Sequence, residues 1–544
     1  MYPTLMPDEL LDELTRLLSS DRVLRDPAEL FVYESDGFTI AKARPLTVVF
    51  PTSTKEVQAV VKLLIKHDAQ IVPRGSGTGL AGGCVAYENG VIVSTARMNQ
   101  VLKIDLHNRV AHVQAGVRNL ALSDAVALAP LNLPPISDQD VTPTTSPAKD
   151  PVAGGANAPQ SAIEPKKGTG VISSLNPEPR TLNPPPQSAT PNPYHFAPDP
   201  SSQRASTIGG NASTNAGGIH TLKDFVTSNH VLGLELVLPD GEVLAVGAQN
   251  GAYESGPFDL PGLICGHEGT FGIITSAWVR LVPKATSFRT AVATFSTTPD
   301  ACNAVSDIIA AGFLPAALEM MDTSMIQIVE DAFHFGFSRQ AHALVLIEID
   351  GIDALLDAQM QEILGTCRRH NAMSIEESKD PARRAALWKA RKSAFGAIGR
   401  ISHSYCTQDA CVPRSRLADV LVKIDEIGKE FGLAITNVFH AGDGNVHPIF
   451  LYDDRDERQV QNTLEAAFKM LKYCIDIGGT VTGEHGVGVE KIHLMPYLFD
   501  KPTMDQFYRV KHAFDPEERV NAGKMLPSEK INVVLLKPGR QVPQ

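Results

Sequence analysis

Arg74-Gly-Ser-Gly-Thr-Gly-Leu-Ala-Gly-Gly83 is the stretch whose reading decides the fold. Within it, Gly77-x-Gly79-x-x-Gly82 matches the bare dinucleotide fingerprint. A Rossmann site needs a helix to begin inside that loop, so that the helix N-terminus meets the pyrophosphate. Here the loop runs into strand-like sequence at 90–95 and again at 101–105, which excludes that fold. Two readings remain. The exposed backbone N–H groups of a glycine run can cradle a pyrophosphate without a helix, or the glycines serve only a tight loop with positive φ.

Working outward, residues 48–116 read as strand, helix, strand, glycine loop, strand, strand. The helix opens at a capping box, Ser53 to Glu56, and buries Val57, Val60, Val61 and Leu64 at helical spacing. Strands at 233–238 and 243–246 flank a turn at Asp240-Gly241, a hairpin signal. Between residues 130 and 200 lie 17 of the 38 prolines, among Ser, Thr, Ala, Gln and Asn. That density leaves no apolar periodicity to offset ordering entropy, so 134–193 is expected to be a disordered insertion. From about Ser287 long helices alternate with strands such as 343–349. The expected division is 1–286, 287–498 and a tail from 499 to 544 returning to the first unit.

The strongest chemical signal is His440-Ala-Gly-Asp-Gly-Asn-Val-His447, with strand-like sequence on both sides. A two-residue turn at Asp443-Gly444 would pair 440 with 447. It would set the imidazoles opposite on one face, with Cβ atoms roughly 4.5–5.5 Å apart. Such a pair can share a metal ion, or stand as a solvated cross-strand pair. A helix at 464–477 is stopped by Gly478-Gly479 and followed by Thr480-Val-Thr-Gly-Glu-His-Gly-Val-Gly488. Glu484 can complete a site of two imidazoles and one carboxylate with open positions, suited to zinc, manganese or iron. On an extended backbone His485 would point the other way, free to act as a base.

Three further segments, taken with the first loop, carry a resemblance. They are Pro198-Asp-Pro-Ser-Ser202, Thr207-Ile-Gly-Gly-Asn-Ala-Ser-Thr-Asn-Ala-Gly-Gly218 and Gly266-His-Glu-Gly-Thr-Phe-Gly-Ile-Ile274. In order and spacing they resemble the FAD-binding domain of the vanillyl-alcohol oxidase (PCMH) type. The resemblance implies an α+β fold: a PCMH-type FAD-binding domain of two α/β subdomains, a second α+β cap domain with an antiparallel sheet, and a C-terminal return. It implies Arg74, Gly75, Ser76, Gly77, Thr78 and Gly82 at the phosphates. Pro198, Ser201, Gly209, Gly210, Asn215 and Gly217 would lie along the cofactor, with Glu268 and Ile273 nearby. Some members tether the flavin through a histidine in the first loop; none is present here, so the FAD is expected to be noncovalent.

The two histidine-bearing motifs resemble the C-terminal half of the glycolate oxidase FAD-binding subunit and of the D-lactate and D-2-hydroxyglutarate dehydrogenases. That likeness spans nearly the whole chain outside the Pro-rich stretch. It implies that Arg391, in Leu387-Trp-Lys-Ala-Arg-Lys392, binds the substrate carboxylate through its guanidinium fork. A helix-surface arginine is the competing reading. Thr407 stands where the 2-hydroxyglutarate enzymes carry a lysine, which argues against that diacid. Asn521-Ala-Gly-Lys524 replaces the family's Asn-Pro-Gly-Lys, so Asn521 is expected to meet the flavin.

Composition narrows the classes. Acids outnumber bases, 61 to 49, for a net charge of −12, which disfavours nucleic acid. The first 18 residues read as an amphipathic helix with acids in its apolar pattern, not as a secretory signal. No run approaches the ~20 apolar residues of a membrane span. Seven cysteines without a CxxC pair argue against a disulfide framework and an iron–sulfur cluster. The expected setting is cytoplasmic, with membrane association only through partner subunits.

The expected function is oxidation of a small 2-hydroxy acid, glycolate or D-lactate. A metal at His440, His447 and Glu484 would lower the hydroxyl pKa, His485 would take the proton and the C2 hydride would pass to flavin N5. Electrons would leave to an iron–sulfur subunit or another acceptor. The alternatives are a metallohydrolase using the histidine site alone, and a non-catalytic flavin-binding subunit.

Overall fold

The computed structural model describes residues 7–88, 90–130, 192–248 and 257–528. The expected insertion, apart from residues 192 and 193, and the tail beyond Ser528 lie outside them. The first helix, Pro7–Leu18, buries Leu10, Leu14 and Leu18 against Val57, Val60, Val61 and Leu64 of helix Thr54–Lys66. Each such side chain contributes roughly 1.5–3 kcal/mol by leaving water. The capping box forms in modified shape. Ser53 Oγ accepts from Glu56 N, whereas Glu56 returns to the N–H of Thr52 at 2.7 Å.

Strands Thr47–Val49, Val91–Ser94 and Ile71–Arg74 run parallel, with the short strand Val23–Leu24 antiparallel at the edge. The chain returns here at its end. Ile71 N donates to Arg519 O, and Asn521 N donates to Ile71 O, both at 3.0 Å. A five-stranded antiparallel sheet follows, built from 101–105, 110–114, 273–280, 231–237 and 243–247 in that order. Leu238 pairs with Glu242 around three residues ending at Gly241, whose φ is 83°. A left-handed glycine closes a three-residue hairpin in this way.

The third large sheet has nine strands. Ser287–Phe295, Ala343–Gly351 and Ala317–Asp322 lead by antiparallel pairing to Ala434–His440. That strand then pairs with Asn445–Val446 and Pro448–Tyr452. Its register corrects the sequence reading. His440 pairs with Asn445 and Asn437 with Pro448, so the connection is the four residues 441–444 rather than two. Gly444 has φ 80°, and a Cβ there would lie 2.2 Å from Val412 O. The slip is two residues. Because side chains alternate with period two, His440 and His447 stay on one face as diagonal neighbours instead of opposing each other.

Candidate active site

One cavity of about 430 Å³, within the usual range for small-molecule sites, joins the glycine loop to the histidine hairpin. Strand Ile71–Arg74 delivers the loop into it. Gly77 sits at φ 75°, where a Cβ would lie 2.2 Å from the Arg74 guanidinium, which is itself held by Ser35 O and Cys84 O. Arg74, Gly75, Ser76, Gly77, Thr78, Ser201, Gly209, Gly210, Glu268 and Ile273 all line the cavity. Bare backbone on two sides suits close approach by a pyrophosphate.

The other expected cofactor residues do not line it. Gly82 faces Val489 and Phe38. Pro198 O accepts from Asn119 Nδ2, and Asn215, at φ 51°, accepts from Ser228 N. Gly217 makes room for a functional side chain: a Cβ there would stand 2.7 Å from Glu484 Oε2. Asn521 donates to the carbonyls of Gly83 and Glu268, tying two cavity loops together. Lys524 Nζ reinforces this by donating to Gly83 O and Val85 O.

At the other end, His440 Nε2 lies 3.4 Å and His447 Nε2 3.2 Å from Glu484 Oε1. The rings are 5.2 Å apart between centroids and nearly perpendicular. One donor atom from each of the three residues falls within 4.8 Å of the others. Burial raises the Glu484 pKa, but hydrogen bonds with the two imidazoles outweigh it and hold the carboxyl well below the ordinary range. An ionised carboxylate facing two imidazole Nε2 atoms fits a zinc-, manganese- or iron-type ion.

The sequence reading missed what fixes this donor set. Glu319 lies directly across the sheet from His440. Its Oε1 is 2.6 Å from His440 Nδ1, and its Oε2 accepts from Arg391 Nε at 2.6 Å. A carboxylate on the far nitrogen orients a ligating imidazole and fixes its tautomer. Arg391, 3% exposed, reaches the cavity with its terminal N–H groups unpartnered among the described residues. A buried acid 121 residues from its histidine has no local signal; only the strand pairing reveals it.

Asp409, also missed, is wholly buried and shapes the loop after helix Glu457–Asp476. Its carboxylate accepts from the Thr482 hydroxyl, from the N–H groups of Gly483, Glu484 and His485, and from Lys491 Nζ. This winding corrects the expectation of an extended backbone that sends His485 away from Glu484. Both side chains enter the cavity, and the His485 ring stacks on His447 at 4.8 Å with an 8° tilt. Burial lowers the His485 pKa to about 4 and keeps it neutral. Asp409, His447 and His485 also cluster closely enough for a cation. Lys491 and the backbone donors already satisfy Asp409, so that grouping is structural. Glu268 completes the loop's support by accepting from Val487 N and Gly488 N, both at 2.7 Å.

The sheets and this cavity define a flavin oxidoreductase of the PCMH-type fold. Among solved structures the chain resembles p-cresol methylhydroxylase with substrate bound, at 15% identity and a TM-score of 0.72, over 96% of this chain and 98% of that one. It also resembles 4-ethylphenol oxidase from Gulosibacter chungangensis, at 18% identity and TM-score 0.69, over 96% and 98%. The family model described as FAD linked oxidases, C-terminal domain, matches residues 284–525. The one described as FAD binding domain matches 45–145 and 187–247. The glycolate oxidase subunit GlcD of Escherichia coli strain K12 is 35% identical over 506 residues, covering 93% of this chain and 88% of that protein. The D-lactate dehydrogenase of Archaeoglobus fulgidus is 28% identical over 520 residues, covering 95% and 99%. The chain belongs to the FAD-linked oxidases and is an FAD-dependent oxidoreductase. All seven cysteines are free, and no described helix is long and apolar enough to cross a membrane.

Proposed function

We propose that the chain oxidises a small 2-hydroxy acid, glycolate or D-lactate, to the 2-oxo acid. The observation carrying this reading is the convergence of His440 Nε2, His447 Nε2 and Glu484 beside His485, in a cavity also lined by the FAD-domain loops. A divalent ion at those three residues would supply Lewis-acid polarisation of the 2-hydroxyl, and noncovalent FAD along 74–78 and 209–210 would supply the two-electron acceptor. Arg391 binds the carboxylate with its terminal N–H groups while Glu319 keeps its Nε fixed. His485 accepts the hydroxyl proton at Nε2, the nitrogen 3.8 Å from Glu484 Oε1.

The names of the relatives support the substrate class: glycolate oxidase subunit and D-lactate dehydrogenase. The word subunit supports a separate iron–sulfur or other carrier as the next electron acceptor, through which any membrane association would arise. Glycolate and D-lactate differ by one methyl group, worth ~1–3 kcal/mol in a pocket. Anaerobic titration of the flavin with a panel of 2-hydroxy acids ranks them by the extent of bleaching. His485→Ala should retain FAD yet lose bleaching; an unchanged bleaching rate would remove His485 from the role.

A further inference from the structure

The charges around the cavity leave one cation without a task. Arg391 is neutralised by Glu319, with both side chains almost completely buried. Lys392, the next residue, lines the same cavity but is exposed to solvent, which puts it at the mouth. No described carboxylate lies within ion-pair distance of it. Its nearest charge-related contact is the Trp388 ring, 5.9 Å from Nζ to centroid, at the outer limit of a cation–π interaction. Lys62, Lys66, Lys429 and Lys469 each hold a carboxylate, and Lys42, Lys55, Lys284 and Lys389 are exposed without an ion pair among the described residues, but none of these eight lines the cavity. A favourable helix-dipole contact does not single Lys392 out, because Lys389 and Arg391 occupy the same last turn.

We propose that Lys392 is the receiving charge for the anionic substrate, holding its carboxylate at the cavity mouth and passing it to the neighbouring Arg391. The inference rests on the 2-hydroxy-acid reading above. A chain carrying a net charge of −12 repels such anions at long range, so an unneutralised ammonium at the entrance raises their local concentration. Salt must weaken that attraction, since the Debye length is about 8 Å at 0.15 M ionic strength.

The test uses the FAD-loaded protein, Lys392→Met and Lys392→Arg, with flavin content and unfolding transition checked for each. KM and kcat for glycolate and D-lactate are measured at low and at physiological ionic strength. Oxalate binding, read from perturbation of the flavin spectrum, gives an arm independent of turnover. For the wild type, KM and the oxalate Kd should rise with salt while kcat stays constant. Lys392→Met should raise both on the order of tenfold at low salt and lose the salt dependence; Lys392→Arg should restore it. Wild-type KM, Kd and salt response in the methionine variant would overturn the proposal, as would a fall in kcat alone or an absence of oxalate binding. A wild type that binds oxalate through Lys392 but bleaches with no 2-hydroxy acid would refute the substrate reading while showing that Lys392 receives a carboxylate anion at the cavity mouth.

Discussion

Replacing Glu319 by glutamine removes one charge from a buried chain of three groups. Its carboxyl is held below the ordinary value of 4.5: burial raises it, but the Arg391 guanidinium and then His440 outweigh that. It is therefore ionised in the folded protein, and its neutral isostere leaves Arg391 buried without a counter-charge. Breaking such a pair by removing one partner costs about 3–5 kcal/mol. The stabilisation is present above the ordinary carboxyl pKa and is lost as pH falls through the depressed folded value. The second effect falls on the donor set. Without a carboxylate at Nδ1, His440 loses the fixed orientation of Nε2, and loss of such an outer partner weakens metal affinity roughly 10–100-fold. Denaturant unfolding at neutral pH and chelator competition for zinc or manganese read the two effects separately. A Glu319→Gln protein that unfolds at the wild-type midpoint and binds added zinc or manganese as tightly as wild type against the same chelator would refute the reasoning.

Gly77→Ala should lower FAD retention during gel filtration, because a non-glycine residue at φ 75° costs about 1–2 kcal/mol and its Cβ displaces the Arg74 guanidinium. Asp409→Asn should abolish the fit between the 482–485 backbone and its anchor, losing charge-assisted bonds worth ~1.5–3 kcal/mol each; affinity for added zinc or manganese should fall while FAD stays bound. Burial disfavours the His220 imidazolium, but Asp199 and then Glu348 raise its pKa to about 10. Its contribution to stability is therefore full below about 6.5 and is lost as pH rises through about 10. His220→Gln should flatten the decline in stability over that window, measured by denaturant midpoint against pH.

What the sequence revealed and what it withheld divide along a physical line. The helix Thr54–Lys66 was legible because its cap and its four buried residues are local in sequence. The histidine pair survived a wrong register, since a slip of two leaves facing unchanged. His485 was misdirected because an extended backbone was assumed where Asp409 winds the chain around its carboxylate. Glu319 could not be found at all from spacing. Of the glycine-rich segments, those that expose bare backbone line the cavity, while Asn215 and Asn521 bind neighbouring loops instead.

The loop from Thr482 to Gly488 is fastened at both ends, to Asp409 at its start and to Glu268 at its finish. Glu484 and His485 stand at the Asp409 end, their own N–H groups bonded to that carboxylate, so the short run from His485 to Gly488 sets their distance from Glu268 and the glycine loops. Adding a single residue after His485 would leave each anchor intact in composition. It would shift His485 against the Glu268-held end of the loop, so that on the proposed mechanism the proton acceptor and the flavin would no longer meet one substrate and turnover would fall with FAD still bound.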